Sequence, residues 1–382
     1  MNYDVAVVGA GVFGAWTAYQ LRLQGASVVL LDAYGPGNSR ASSGGESRVI
    51  RLGYGPEEIY SRSAQRSLQM WKQLFDRREP QSDLFQKTGV LWLAREQDQY
   101  CEAVLKMLQK FGANYERLDR DELTRRFPQF EPGPIAWGIV EPDAGVLMAR
   151  RAVQAVVAQA RADGVDYLEQ AIAPAPQRLG KNKLHTTSGT EIVAEQFAFA
   201  CGPWLPKLFP DLLGDLIHVT RQEVFFLGVP PGNESFNIGS LPVWIDFNDL
   251  VYGIPNLDGR GFKLAIDAHG PKFDPDLGER VVSAAGLNAM REFLTRRLPL
   301  LANAPVTETR VCQYENTSNG DFLIDKHPQF ENVWLVGGGS GHGFKHGPAV
   351  GEYVVDMMFG KRDPEPRFSL AGKEKVRQRK VY

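Results

Sequence analysis

Apolar and polar positions along this chain switch between two periods. Residues 5–8 form a short unbroken apolar run, the pattern of a strand buried on both faces of a parallel sheet. Gly9-Ala10-Gly11-Val12-Phe13-Gly14 follows at once. From 12 to 24 the apolar residues Val12, Ala15, Trp16, Tyr19 and Leu23 recur every three or four positions, which predicts a helix. Gly25 stands where such a helix stops. Residues 27–31 predict a second strand that ends on Asp32. The same reading predicts helices over 57–75, 97–111, 150–162, 287–298 and 348–359. It predicts strands over 89–94, 196–200, 223–227, 250–252, 262–266 and 333–336. Strand-Gly-turn-helix pieces thus recur at the start, near 150–205 and near 330–360, with strand-rich stretches between. The simplest organisation is two domains that the chain crosses several times: one from 1–80, 145–215 and 305–382, the other from 81–144 and 216–304. The class is α/β locally and α+β overall.

The first unit has the full context of a dinucleotide site: strand, Gly turn, helix, strand and acid within about 30 residues. Gly9 permits the tight turn, Gly11 lets the backbone approach a pyrophosphate, and Gly14 lets helix and strand pack closely. The free N–H groups of the helix start favour an anion, and Asp32 would accept from a ribose hydroxyl. The chain returns to a buried strand and Gly turn at Phe197-Ala198-Phe199-Ala200-Cys201-Gly202. It does so again at the run Gly337 to Gly343 before the last helix. These returns favour FAD over NAD, with the last helix start expected to face a flavin ring.

Composition narrows the partners. The 382 residues, 43% hydrophobic and 23% charged with a formal net charge of −2, suit two globular modules and give no case for nucleic acid. The basic stretch 373–380 reads as a solvated tail. No apolar run is long enough to span a membrane, and the first strand begins too early for a leader. Three cysteines, Cys101, Cys201 and Cys312, are too scattered for a disulfide framework or a structural zinc site. A cytoplasmic location is therefore expected, with Cys101 and Cys201 in the core.

Five further blocks carry a family resemblance: Ser47-Arg48-Val49-Ile50-Arg51, Tyr252-Gly253-Ile254-Pro255, Lys263, Cys312-Gln313-Tyr314 and Gly341-His342-Gly343-Phe344-Lys345. With the N-terminal Gly turn, they resemble the monomeric sarcosine oxidase family of the D-amino acid oxidase superfamily. These are flavin amine oxidases that include N-methyltryptophan oxidase and pipecolate oxidase. The likeness runs to near Phe359. It implies a glutathione-reductase-like FAD-binding Rossmann domain plus a β-sheet substrate domain. It also implies oxidation of an amino acid or related amine, with O2 reduced to H2O2. Cys312 matches the cysteine that bonds the flavin, and Lys263 the lysine that activates oxygen. Arg48 matches the arginine beside the flavin ring, and Tyr252 and Tyr314 match walls of the substrate pocket. Arg51 and Lys345 match the pair that holds the substrate carboxylate, which suits a planar fork and a point charge.

On this resemblance the catalytic group is Lys263, Arg48, Tyr314 and Asp267, and the substrate-binding group is Arg51, Lys345, Tyr252 and His269. The cofactor group is Gly9, Gly11, Gly14, Asp32, Ser43, Arg48, Cys312, Gly339, Gly341, Gly343 and Lys345. The departures lie at the amine end. Asp267 stands four residues past Lys263, where sarcosine oxidases have histidine, and His269 follows two residues on. Ser43-Gly44-Gly45 and Pro56 replace a family histidine and glutamate. Strand alternation puts Lys263, Ala265 and Asp267 on one face. Two other readings stand beside the oxidase: a dehydrogenase of the same fold that passes electrons to a protein or quinone, and a flavin-binding assembly protein without turnover. A monomer is implied by the resemblance alone, and neither metal nor membrane is expected.

Overall fold

The computed structural model describes residues 2–78, 83–173 and 182–375, so 376–380 of the basic stretch lie outside the described residues. The N-terminal unit forms as its pattern predicts: strand Asn2–Val8, helix Val12–Leu23, strand Val28–Asp32. Glycine is required where these join. Gly9 has φ +102, and a Cβ there would meet the Ala200 carbonyl oxygen at 2.4 Å. A Cβ on Gly14 would come 1.8 Å from the Gly9 carbonyl oxygen.

Among the described residues one sheet has seven strands. Its path runs Leu323–His327, Phe330–Gly337, Glu191–Phe199, Asn2–Val8, Val28–Asp32, Asp166–Glu169, and Lys183–His185 pairs with Glu191–Phe199. Four of its pairings are parallel, which is why its central strands read as continuous apolar runs. The helices Val12–Leu23, Glu58–Arg78, Ala149–Ala162 and Gly347–Met358 share its main core around Trp16, Trp71 and Tyr60.

A second sheet has eight strands, in the order Val306–Asn316, His218–Leu227, Phe262–Ile266, Val251–Ile254, Val243–Asp246, Val90–Arg95, Ile135–Glu141, Glu116–Asp119. Alternation divides its faces. Val90, Trp92 and Ala94 enter the core shared with the four helices. Leu91, Leu93, Phe262 and Leu264 enter a separate core beneath the helix Ala284–Arg297. A small sheet of Arg48–Ile50, Gly145–Leu147 and Phe85–Gln86 lies in the chain between these elements.

The structure corrects the reading at two places. Val306–Asn316, grouped above with the dinucleotide unit, is the edge strand of the eight-stranded sheet and pairs with His218–Leu227 along its length. Its first half alternates half-buried and exposed residues, so it has no apolar run to announce it. The last helix begins at Gly347, after a separate 3-10 turn Phe344–His346. A Cβ on Gly347 would meet Val12 Cγ2 at 2.5 Å, and one on Gly351 the Trp16 backbone at 2.7 Å. That helix start packs side-on against the first helix. No helix among the described residues is long and apolar enough to cross a membrane.

Candidate active site

A groove of about 280 Å³ runs past the first Gly turn and is lined by Gly9, Gly11, Asp32, Ser43, Cys312, Gly339, Gly341 and Gly343. Gly14 lies beneath it against Gly9. The Ala10 N–H donates to Asp32 Oδ2 at 2.7 Å and the Tyr34 N–H to Oδ1 at 2.9 Å, which aims the carboxylate. Burial raises the Asp32 pKa. The Val12 N–H donates to Ser43 Oγ at 3.0 Å. A Cβ on Gly11 would have only Ser43 Oγ, at 3.5 Å, within contact range, so the backbone there is open to the groove. Glu315 also lines the groove. Its Oε1 accepts from the Gly339 N–H at 3.2 Å, while its buried Oε2 has no partner among the described residues. Burial pushes its carboxyl up to about 7. A glycine-lined helix start and a buried carboxyl oxygen awaiting a donor fit a dinucleotide with hydroxyl-bearing sugar.

Cys101 is fully buried, as expected, but Cys201 is half-buried and lines the groove, its Sγ 3.4 Å from the Val8 carbonyl oxygen.

The groove meets a second cavity of about 110 Å³, and Arg48, Cys312, Tyr314, Gly341 and Phe344 line both. The second cavity also holds Arg51, Tyr252, Lys263, Asp267 and Lys345. Distant segments converge here because two sheets meet. The short strand Arg48–Ile50 carries Arg48 and leads into Arg51. Pairing sets Cys312 opposite Gln222 and Tyr314 opposite Thr220, and Tyr252 beside Ala265. Lys263, Ala265 and Asp267 all face the cavity, as strand alternation requires.

His269 is not brought in. The strand ends at Ile266, and the chain then turns, with Gln222 Nε2 donating to the Ala268 carbonyl at 2.9 Å. His269 is exposed and does not line the cavity. Alternation ceases to apply once the ladder ends.

The cations are held in different ways. Arg48 donates to the carbonyls of Ser47 and Ser42, both at 2.8 Å, and its Nη2 lies 3.4 Å from Cys312 Sγ. Lys263 is 3% exposed and donates to Ser47 O at 3.0 Å and Oγ at 3.3 Å. Lys345 donates to Tyr54 Oη at 2.7 Å and the His342 carbonyl at 3.0 Å. Burial, then the neighbouring Arg48, holds Lys263 well below the ordinary lysine value, and burial, then Arg51, does the same to Lys345. Arg51 donates to the Gly53 carbonyl and stacks 4.3 Å from the Tyr54 ring centroid and 4.6 Å from that of Trp92. On the opposite wall Tyr314 Oη donates to Asp267 Oδ1 at 2.8 Å.

Several site residues escape a sequence reading. Glu141 is buried on a strand of the large sheet and accepts from Trp92 Nε1, Leu52 N and Gly53 N at 2.7, 2.8 and 3.1 Å. It thereby anchors the turn that presents Arg51. Tyr54, His346 and Glu315 sit beside or within matched blocks, so adjacency was their available signal. Glu141 had none, since its partners lie 49 to 89 residues away.

The chain matches the FAD dependent oxidoreductase (DAO) family over residues 4–357. It belongs to that family. It is 31% identical over 374 residues to monomeric sarcosine oxidase of Bacillus sp. (strain B-0618), covering 95% of this chain and 94% of that protein. It is 27% identical over 378 residues to N-methyl-L-tryptophan oxidase of Salmonella heidelberg (strain SL476), covering 97% of each. In fold it is similar to L-proline dehydrogenase from P. horikoshii, with a TM-score of 0.83, 19% identity and 97% of each chain covered. The likeness to the sarcosine oxidase group seen in the motif blocks is thus borne out, and this FAD-dependent oxidoreductase has the expected mixed α/β fold.

Proposed function

We propose that this oxidoreductase oxidises the C–N bond of an amino acid or related amine whose carboxylate is held between Arg51 and Lys345. One observation carries the reading. Lys345 is buried in the cavity, and its ammonium bonds only to uncharged oxygens among the described residues. Asp267 and Glu141 act on it only through space, and a buried lysine without a paired counter-charge is costly to hold as a cation. A substrate carboxylate supplies that charge, and Arg51 adds a second donor. Sarcosine and N-methyl-L-tryptophan, named for two relatives, each join a carboxylate to an amine.

Bound FAD supplies the electron acceptor for the carbon–nitrogen oxidation. Gly9, Gly11, Asp32, Ser43 and the Gly339–Gly343 turn would hold it, with Cys312 as its covalent attachment. The other side chains position and polarise. Arg51 and Lys345 fix the carboxylate, which orients the amine end toward Tyr252, Tyr314 and Asp267. The two tyrosines exclude water from the reacting carbon. The amine reacts as the neutral base, so Asp267 disfavours small amines by holding them charged, and it suits a substrate with a second cationic or donor group. Protonated Lys263 presents positive charge as two electrons and two protons pass to dioxygen, which leaves as hydrogen peroxide. A dehydrogenase reading leaves Lys263 without a use.

A panel of amino acids and amines, each paired with its amide and assayed for peroxide, tests the reading. Acids are expected to turn over and their amides to bind poorly. Equal turnover of acid and amide removes the clamp. Acid precipitation is expected to leave the flavin colour in the protein pellet, and colour wholly in the supernatant removes the Cys312 link.

A further inference from the structure

Lys345 is 6% exposed, yet a carboxylate clamp works best with its lysine charged, and burial, then Arg51, outweighs the pull of Asp267 and Glu141 and favours the neutral form. The lysine must therefore gain a proton as a carboxylate arrives and lose it as the ligand leaves. The residues behind it supply a route. Lys345 Nζ donates to Tyr54 Oη at 2.7 Å; Tyr54 Oη lies 2.7 Å from His346 Nε2; His346 Nδ1 lies 2.9 Å from Ser63 Oγ. Tyr54 and His346 are wholly buried, and Ser63 is half-buried on the helix Glu58–Arg78, next to the exposed Arg62. The path thus runs from cavity to surface. We propose that Tyr54, His346 and Ser63 form a proton wire that charges and discharges Lys345. The proposal rests on Lys345 being half of the carboxylate clamp.

Hydrogen-bond accounting sets the direction of travel. An ammonium only donates, so Tyr54 Oη accepts from charged Lys345 and turns its own proton to His346 Nε2. Nδ1–H then donates to Ser63 Oγ. In discharge, one proton passes from Nζ to Tyr54 Oη, the Tyr54 proton to His346 Nε2, and the Nδ1 proton to Ser63 Oγ. The Ser63 proton goes to bulk water. One proton leaves Lys345, one enters water, no electrons move, and His346 ends as the other tautomer. Recharging runs the same steps backwards.

The groups that face the wire keep it neutral. Burial opposes a positive charge on His346, and Lys345, His342 and Arg51 add to this. Arg51, Glu141 and Tyr100 face Tyr54. The Tyr60 ring lies 5.5 Å from that of His346. Arg66, one turn along from Ser63, is paired with Glu352 at 2.7 Å. His346 is therefore suited to pass a proton on, not to store one. The His342 ring makes a poorer branch, 3.5 Å from Tyr54 Oη and with Nε2 at 3.1 Å from the Gly320 carbonyl.

Rapid mixing of the flavin-loaded enzyme with acetate, a carboxylate that cannot be oxidised here, tests the wire. A pH-indicator dye in weak buffer reads proton uptake, and the flavin spectrum reads binding. In the wild type the two signals should rise together. His346→Gln keeps hydrogen-bonding groups but cannot relay. It should slow proton uptake on the order of 10²-fold, with acetate affinity at low pH near the wild-type value. Proton uptake at the wild-type rate in this variant overturns the wire alone. Acetate binding indifferent to Arg51→Ala overturns the clamp, and the wire with it. Should His346→Gln fail to fold, Ser63→Val removes the exit hydroxyl and keeps water from replacing it. Slowed uptake there supports the wire, and an unchanged rate refutes it.

Discussion

The two ends of the small cavity are built differently. At the proposed carboxylate end, Arg51 and Lys345 stand on fully buried supports: the Tyr54 and Trp92 rings, and Glu141 beneath the turn at Leu52 and Gly53. Each support is held by bonds inside the protein. At the proposed amine end, Tyr252, Asp267 and Tyr314 are half-buried, and Asp267 lies just past the end of its strand, where its carboxylate accepts from Tyr314. The difference teaches where substrate range can change. Altering the clamp disturbs a packed core, whereas altering a strand end disturbs half-buried side chains at the edge of the cavity.

Substitutions at the two ends test this contrast. Arg51→Ala should have the largest effect, weakening substrate binding about 30-fold to several-thousand-fold, the usual cost of losing one partner of a buried charge pair. Anaerobic titration followed by flavin absorbance measures it, and a loss under tenfold would make the two ends alike. Lys263 sits at the buried root of the strand whose half-buried tip leads to Asp267. Lys263→Met should slow reaction with dioxygen by about 10²–10³-fold, as removal of one preorganised donor does. Flavin reduction by substrate should change less. A variant that reoxidises at the wild-type rate would move the oxygen site elsewhere.

Glu141→Gln tests the supports. Replacing this carboxyl leaves part of a buried network unsatisfied, and should cost about 1–3 kcal/mol in urea unfolding. Burial raises the Glu141 pKa in the folded state, so its titration contributes stability at low pH that is lost as pH rises. The glutamine variant should lose stability less steeply than the wild type over that rise. A parallel slope would show that Glu141 does not titrate with folding.

The smallest effect is expected at the strand end. Asp267→Asn should leave stability within about 0.5 kcal/mol, as surface changes do, while shifting the pH profile of turnover. Wild-type activity on sarcosine should be poor, and Asp267→His should improve it. If sarcosine is already the best substrate, or Asp267→Asn moves neither rate nor profile, the amine end is not set by this residue.

Much of the site was legible because its signals are local. Gly9, Gly11 and Gly14 with Asp32 mark a strand-turn-helix whose geometry follows from the positive φ of Gly9 and the close approach of Gly14 to Gly9, both within one segment. The period of two from Lys263 to Asp267 places three side chains on one face, and the structure puts all three on the cavity. His269 shows where that rule stops, since nothing in a sequence period says at which residue a ladder ends.

What only the tertiary structure decided depends on contacts between distant segments. The strand Val306–Asn316 belongs to the large sheet because it pairs with His218–Leu227, about 90 positions earlier, and its own polar alternation does not reveal that partner. Glu141 becomes the support of Arg51 only when two strands and a turn meet. The last helix start turned out to pack on the first helix, because Gly347 and Gly351 admit Val12 and Trp16 at close range. The chemistry-bearing residues and the dinucleotide turn were written in the order of amino acids. Their burial, their hydrogen-bond partners and the path from Lys345 to the surface were not, because burial and long-range pairing are properties of the packed chain.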